Sequence, residues 1–177
     1  MVAIVAQCVG AAILYGIAHD QVTARVCVEY FTVFHPRVIA SDSPTLLALV
    51  WGVLATWWVG FFLGVPLAFV AQAGPLLRVS ARDLRRPTAV LLLVMACLAF
   101  VSGVAGYWLT SSGQLPMLPR WSNDIPPTRH SRFMADLLAH NASYTSGFLG
   151  GNVMLGWAWR RRRRLASRQE IGGPRGT

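Results

Sequence analysis

The sequence predicts an all-α membrane protein, a bundle of four transmembrane helices with both termini cytoplasmic, and three observations carry that expectation. Between Asp42 and Arg78 there are 35 uncharged positions in a row, and ~20 apolar residues already cross a bilayer as a helix. Of the 177 residues 54% are hydrophobic and only 13% charged, well under the ~25% charge of ordinary soluble domains. The charge is also segregated: all 16 basic residues are Arg, and most of them fall on one side of the expected bundle.

The first helix is expected over residues 2–18, a stretch without a charged side chain that ends at His19-Asp20. A cleaved signal peptide would bring a positive leading region and a small-x-small cleavage site. Neither is present, so the segment reads as an uncleaved span. Residues 19–43 form the first outer loop. Arg25 and Glu29 are spaced as a helical pair, and Val22, Val26, Tyr30 and Val33 share a helical face. The same residues alternate as a short strand would, so a helix ending at His35-Pro36 and a strand both stand.

The second helix, 44–71, opens on Pro44 at a favoured first-turn position with Ser43 as cap, and Pro66 should kink it. The inner loop, 72–87, holds Arg78, Arg82, Arg85 and Arg86 against Asp83 alone. The third helix, 88–110, ends in Tyr107-Trp108, the amphipathic pair of a membrane interface. A Pro-rich outer loop follows over 111–133. The fourth helix, 134–159, carries Asn141, Ser143, Thr145, Ser146 and Asn152, which suits packing against other helices rather than lipid all round. Arg160, Arg161, Arg162, Arg163 and Arg164 then open a polar, Gly-rich cytoplasmic tail, 160–177, expected to be disordered.

Charge sets the orientation. With four spans, one side holds 11 Arg against Asp83 and Glu170, net +9; the other holds five Arg against five acidic residues, net 0. The positive-inside rule makes the first side cytoplasmic. The arginines thus act as topology determinants that also meet anionic lipid headgroups, worth ~1 kcal/mol each near the surface. Confinement of the charge to one face of a bilayer argues against nucleic acid as partner, despite a pI near 11.0.

The stretches YGIAHDQVTARVCVEYFTVFHP, SPTLLALVWGVLATWWVGFFLG and AHNASYTSGFLGG resemble a group of small bacterial multi-pass, four-helix membrane proteins with no assigned activity. The resemblance covers most of residues 14–155. It implies the inner membrane of a bacterium and carries no chemistry.

Chemistry has one candidate centre. All four histidines, His19, His35, His130 and His140, fall on the outer side with five of the seven acidic residues. Asp136 and His140 share a helical face with Tyr144, and His19-Asp20 closes helix one at the same level. Helices one and four can therefore bring His19, Asp20, Asp136 and His140 together, a nitrogen and carboxylate set suited to zinc or a similar divalent ion. Glu29, His35 and His130 are reserves, and Tyr144 or Thr23 would orient the rings. The plain alternative is that polar groups gather wherever helices leave a bilayer, and no HExxH-type motif tips the balance.

Trp57 and Trp58 fall mid-helix, where an indole N–H needs a partner, and Thr145 and Asn152 are the expected acceptors. The small pairs Gly60/Gly64, Ala99/Gly103 and Gly147/Gly151 permit close helix contact, within the chain or in a homo- or hetero-oligomer. Cys8, Cys27 and Cys97 lack CxxC spacing, which argues against a disulfide framework or a thiol oxidoreductase. With no mid-helix ionisable group and no phosphate-binding loop, ion-coupled and ATP-driven roles are disfavoured. The leading expectation is therefore a non-enzymatic accessory, scaffold or small-ligand-binding membrane subunit; the alternative is a metal-dependent site or enzyme at the outer membrane surface.

Overall fold

No proline interrupts residues 2–26, so the first helix runs on past its apolar part. In the computed structural model, which describes residues 1–172 with side chains placed through Ser167, α1 runs Val2–Val26. It thus extends eight residues past the expected end and carries His19 and Asp20 on its last two turns. It stops at Cys27, whose backbone is extended (φ −148°, ψ 97°) while its N–H still donates to the Thr23 carbonyl. That break removes the Arg25–Glu29 pair expected from spacing. Arg25 instead donates to Thr45 Oγ1 at 2.8 Å, and Glu29 faces Arg129 at 3.4 Å. A π-helical turn, Tyr30–Phe34, follows, so the strand alternative falls away.

The long uncharged run forms two helices, α2 (Pro44–Leu54) and α3 (Trp57–Gln72). Pro44 stands at the first turn as expected, but the Ser43 side chain makes no capping bond. The interruption comes at Ala55-Thr56 and not at Pro66, which α3 contains without ending. Thr56 has φ −122° and its hydroxyl donates to the Gly52 carbonyl, and such back-bonding bends helices. Helix α4 covers Ala81–Ser111, opening seven residues earlier than expected. Its start is a capping box: the Ser80 N–H donates to Asp83 Oδ2 at 3.0 Å, while Ser80 Oγ accepts from the Asp83 N–H. Helix α5 spans His130–Gly172 after a 3₁₀ turn at Pro127–Arg129. The stretch expected as a disordered tail is therefore helix as far as Gly172; residues 173–177, with Arg175, lie outside the described residues.

The chain is all-helical, with no strand among the described residues. Three helical stretches are long and apolar enough to cross a membrane: Val2–Val26, Pro44–Gln72 and Ala81–Ser111. Helix α5 is longer than any of them but too polar to join them on composition.

The helices associate as two pairs. Helix α1 lies along α2 and α3, α4 lies along α5, and α3 meets α5 between the pairs, while α1 touches α4 and α5 only sparsely. The first pair is bound by a glycine crossing. A Cβ on Gly52 would sit 2.5 Å from the Ile17 backbone nitrogen, and one on Gly16 would sit 2.6 Å from the Gly52 carbonyl oxygen. Backbone cannot yield as a side-chain tip can, so this contact requires glycine. The small pairs noted in the sequence all meet the same chain: Gly60 and Gly64 face Cys8, Gly103 faces Ala139, and Gly147 and Gly151 face Met95 and Leu63.

Two apolar cores close the ends of the seam between the pairs. One gathers Cys27, Tyr30, Phe31, Leu47, Phe133 and Met134. The other gathers Ile4, Leu67, Ala71, Leu84, Met154 and Ala158.

Candidate metal and ligand centre

Between those cores the seam stays open as an elongated cavity, within which the centre of a water-sized sphere can roam about 120 Å³. Its walls are mostly apolar, with Leu63, Leu91 and Met95 among the lining side chains. His19, Asp20, His35, Trp51 and His140 lie at one end, and Leu67, Thr88 and Met154 at the other.

The polar end is where α1 and α5 cross. His19 and Asp20 from α1 and His140 from α5 place a potential ligand atom each within 4.8 Å of one another. This is the largest part of the centre expected from sequence. His140 is fixed from both sides. Its Nδ1–H donates to the Asp136 carbonyl at 2.8 Å, and its Nε2 stands 3.2 Å from Asp20 Oδ1. The Tyr30 ring stacks on it at 4.4 Å between centroids, and His19 meets it edge-on at 4.6 Å. A histidine that gives one N–H to a backbone carbonyl keeps its other nitrogen in a fixed direction, the arrangement found behind metal-bound imidazoles. His19 Nε2 is buried and has no hydrogen-bond partner. A buried polar atom without a partner costs about 1–3 kcal/mol, so each one points to something that would satisfy it.

Asp136 does not join the group. Its backbone serves His140, while its carboxylate lies in the neighbourhood of Cys27 and Tyr30, with Oδ2 buried and unpartnered. Of the reserves, Glu29 and His130 are elsewhere, and His35 lines the same end without being one of the three converging ligand groups. Glu29 faces Arg129 and accepts from Cys27 Sγ–H at 3.3 Å. His130 pairs through Nε2 with the Ile125 carbonyl at 2.9 Å. His35 pairs through Nδ1 with the Tyr30 carbonyl at 2.9 Å and packs on Trp51 at 4.5 Å. Neither expected orienting group touches a ring nitrogen: Thr23 donates to the His19 carbonyl and Tyr144 to the Ala55 carbonyl. The backbone of Asp136 and the ring of Tyr30 hold the imidazole instead. Below them Tyr15 and Ser143 share a hydroxyl hydrogen bond of 2.8 Å across the seam.

Burial governs two groups beyond the end of α1. The Cys27 thiol is pushed up to about 12, first by burial and then by its bond to the Glu29 carboxylate, so it is inert. The Tyr30 phenol is also raised, chiefly by burial.

Sequence reasoning picked the wrong tryptophans. Trp57 and Trp58 face outward, 47% and 44% exposed, and Asn152 donates to its own helix at Phe148. The indole that lacks a partner is Trp51, which lines the cavity and whose Nε1–H is buried. Arg162 is the second residue missed. Counted among the lipid-facing arginines, it is 4% exposed, and its guanidinium donates to the carbonyls of Val70, Leu76 and Leu77 at 2.7–2.9 Å.

No family model, curated protein or solved structure matches the chain.

Proposed function

We propose that the chain is an integral membrane protein of a bacterial inner membrane, non-enzymatic, which binds a small ligand at the His19–Asp20–His140 centre, and that this ligand is a divalent metal ion. One observation carries the reading. Three ligand-type side chains, two on α1 and one 120 positions away on α5, converge with an unsatisfied His19 nitrogen among them. Two imidazoles and a carboxylate suit Zn²⁺, which takes such ligands at ~2.0–2.2 Å, so small rotations of His19 and Asp20 close the set. His140 Nε2 is then a ligand and its Nδ1–H keeps the Asp136 carbonyl. Elemental analysis of protein purified in mild detergent tests this. One equivalent of metal in the native chain, lost in His140→Ala and in His19→Ala, is expected. Metal that is absent, or unchanged in both variants, leaves the three residues as a hydrogen-bonded polar plug.

The membrane arrangement belongs to the same proposal: four passes, with α5 as the fourth and both termini cytoplasmic. The net charge of +9 on the side of the 72–87 loop and the C-terminal arginines supports it. So do the outward aromatic side chains Tyr107 and Trp108 at the end of α4. In a cysteine-free background, Ser122→Cys should react with an impermeant maleimide from outside and Ser80→Cys should not. The reverse pattern overturns the orientation.

A second reading, a metal-dependent enzyme, is favoured by the cavity itself. The three ligands leave a fourth zinc position free, and the centre lies at the end of the open seam. A free position is what lets bound zinc activate water.

A further inference from the structure

From the extent and lining of the cavity and the unpaired indole N–H of Trp51 at one end of it, we infer that the seam between the helix pairs holds one extended acyl chain with its oxygen-bearing head beside Trp51. The occupant is one acyl chain, supplied either by a free fatty acid or by a membrane lipid.

Length comes first. The lining residues extend from Cys8 to Asp20 on α1 and from His140 to Met154 on α5, which at 1.5 Å per residue is about 18–21 Å. A zigzag chain with ~1.5 Å bonds advances about 1.25 Å per carbon, so some 16 carbons fill the distance. Width follows from volume. The roughly 120 Å³ open to a sphere's centre, divided by about 20 Å of length, leaves a cross-section near 6 Å². Adding the sphere's own ~1.4 Å radius all round gives a bore of about 5–6 Å. Carbons in contact lie about 3.5–4.0 Å apart, so the average bore accommodates one chain.

The two ends differ as the ends of an amphiphile do. At the deep end Leu67, Leu91 and Met154 offer apolar contact, and the one hydroxyl there, Thr88, already accepts from Gln7 Nε2 at 3.5 Å. At the other end the Trp51 Nε1–H is buried and unpaired. An indole nitrogen only donates, so what satisfies it is an oxygen acceptor: a carboxyl, ester or phosphate oxygen. Lipid already bathes the outer faces of such a bundle, so a chain has a short route into the seam, where the pairs touch only sparsely.

The test uses the full chain in lipid nanodiscs and two photoreactive probes. One is palmitic acid with a diazirine at its terminal carbon; the other is a phosphatidylglycerol with the same chain at one position. After irradiation the labelled residues are mapped by mass spectrometry. Label from either probe should concentrate on Leu67, Leu91 or Met154, and the probe that delivers it tells free acid from membrane lipid. It should fall at least fivefold in Met95→Trp and in Val59→Phe, which block the bore, and severalfold in Trp51→Phe, which removes the donor. Thermal midpoints identify which variants fold. Label confined to the outward side chains Phe62, Phe69 and Phe100 overturns the proposal. So does deep-end label that persists in a folded blocking variant. The outcome is independent of metal content, so this inference and the metal reading fail separately.

Discussion

His35 is held by contacts that leave its charge nowhere to go. The ring lies beyond the end of α1 and packs on Trp51 and Phe31, with Nδ1 on the Tyr30 carbonyl. Burial lowers its pKa from the ordinary 6.5; the Tyr30 carbonyl offsets this in part, His140 adds to the lowering and Asp20 opposes it. The folded protein therefore holds this proton less tightly than the unfolded chain does. Below the ordinary value the unfolded state binds more protons, so the stability present above pH 6.5 is lost as the pH falls through and below it. The thermal midpoint in detergent should drop between about pH 7.5 and pH 5, and drop less steeply in His35→Asn. Equal slopes in the two proteins would place the sensitivity elsewhere. At this scale the sequence was partly legible. His19, Asp20 and His140 stand out because polar side chains are rare between apolar runs. Asp136 misleads, since i,i+4 spacing fixes a shared face but not which way a carboxylate turns. Trp51 hides because α2 and α3 are apolar all round, leaving no polar stripe from which to read an inward face.

Among the elements, the junction of α5 with the 72–80 loop is decided by one side chain. A planar guanidinium can satisfy several carbonyls at once, and Arg162 does so at Val70, Leu76 and Leu77, where α3 ends and the loop begins. Arg161 adds an exposed bridge to Asp83 at 2.9 Å, of a kind that contributes little. Arg162→Ala leaves three part-buried carbonyls without their donor and should cost about 2–4 kcal/mol. Arg163→Ala, on the exposed side, should stay within ~0.5 kcal/mol. Arg162→Lys should recover only part of the loss, because an ammonium cannot span three carbonyls. Chemical unfolding in mixed micelles measures all three, and equal losses at 162 and 163 would refute the assignment. Five arginines in a row gave no sign of this, since composition is blind to which of them turns inward. The early start of α4 was readable in Ser80-x-x-Asp83, and Pro87 falls in its second turn without ending it.

For the whole molecule, the all-helical class and three long apolar helices were legible, because a bilayer demands ~20-residue apolar helices and three stretches of that kind appear where hydropathy puts them. The seam was not legible, because it depends on which faces of nearly uniform helices meet. The same geometry constrains how the molecule is made. Asp20 and His140 are 120 positions apart, and chains emerge at roughly 5–20 residues per second. On the membrane arrangement proposed above, α1 therefore waits some 6–24 s with a carboxylate and an imidazole at its end and nothing to receive them. Helix α5 completes it. Nascent chains stopped after Arg120 should insert yet be cleared by membrane proteases several times faster than the full chain, as pulse-chase would record. His140→Ala should shorten the lifetime of the full chain in the same direction, and normal persistence of both would mean that α1 matures alone. On that outcome the polar centre would serve as a proofreading mark on biogenesis, legible to the cell only once α5 is in place.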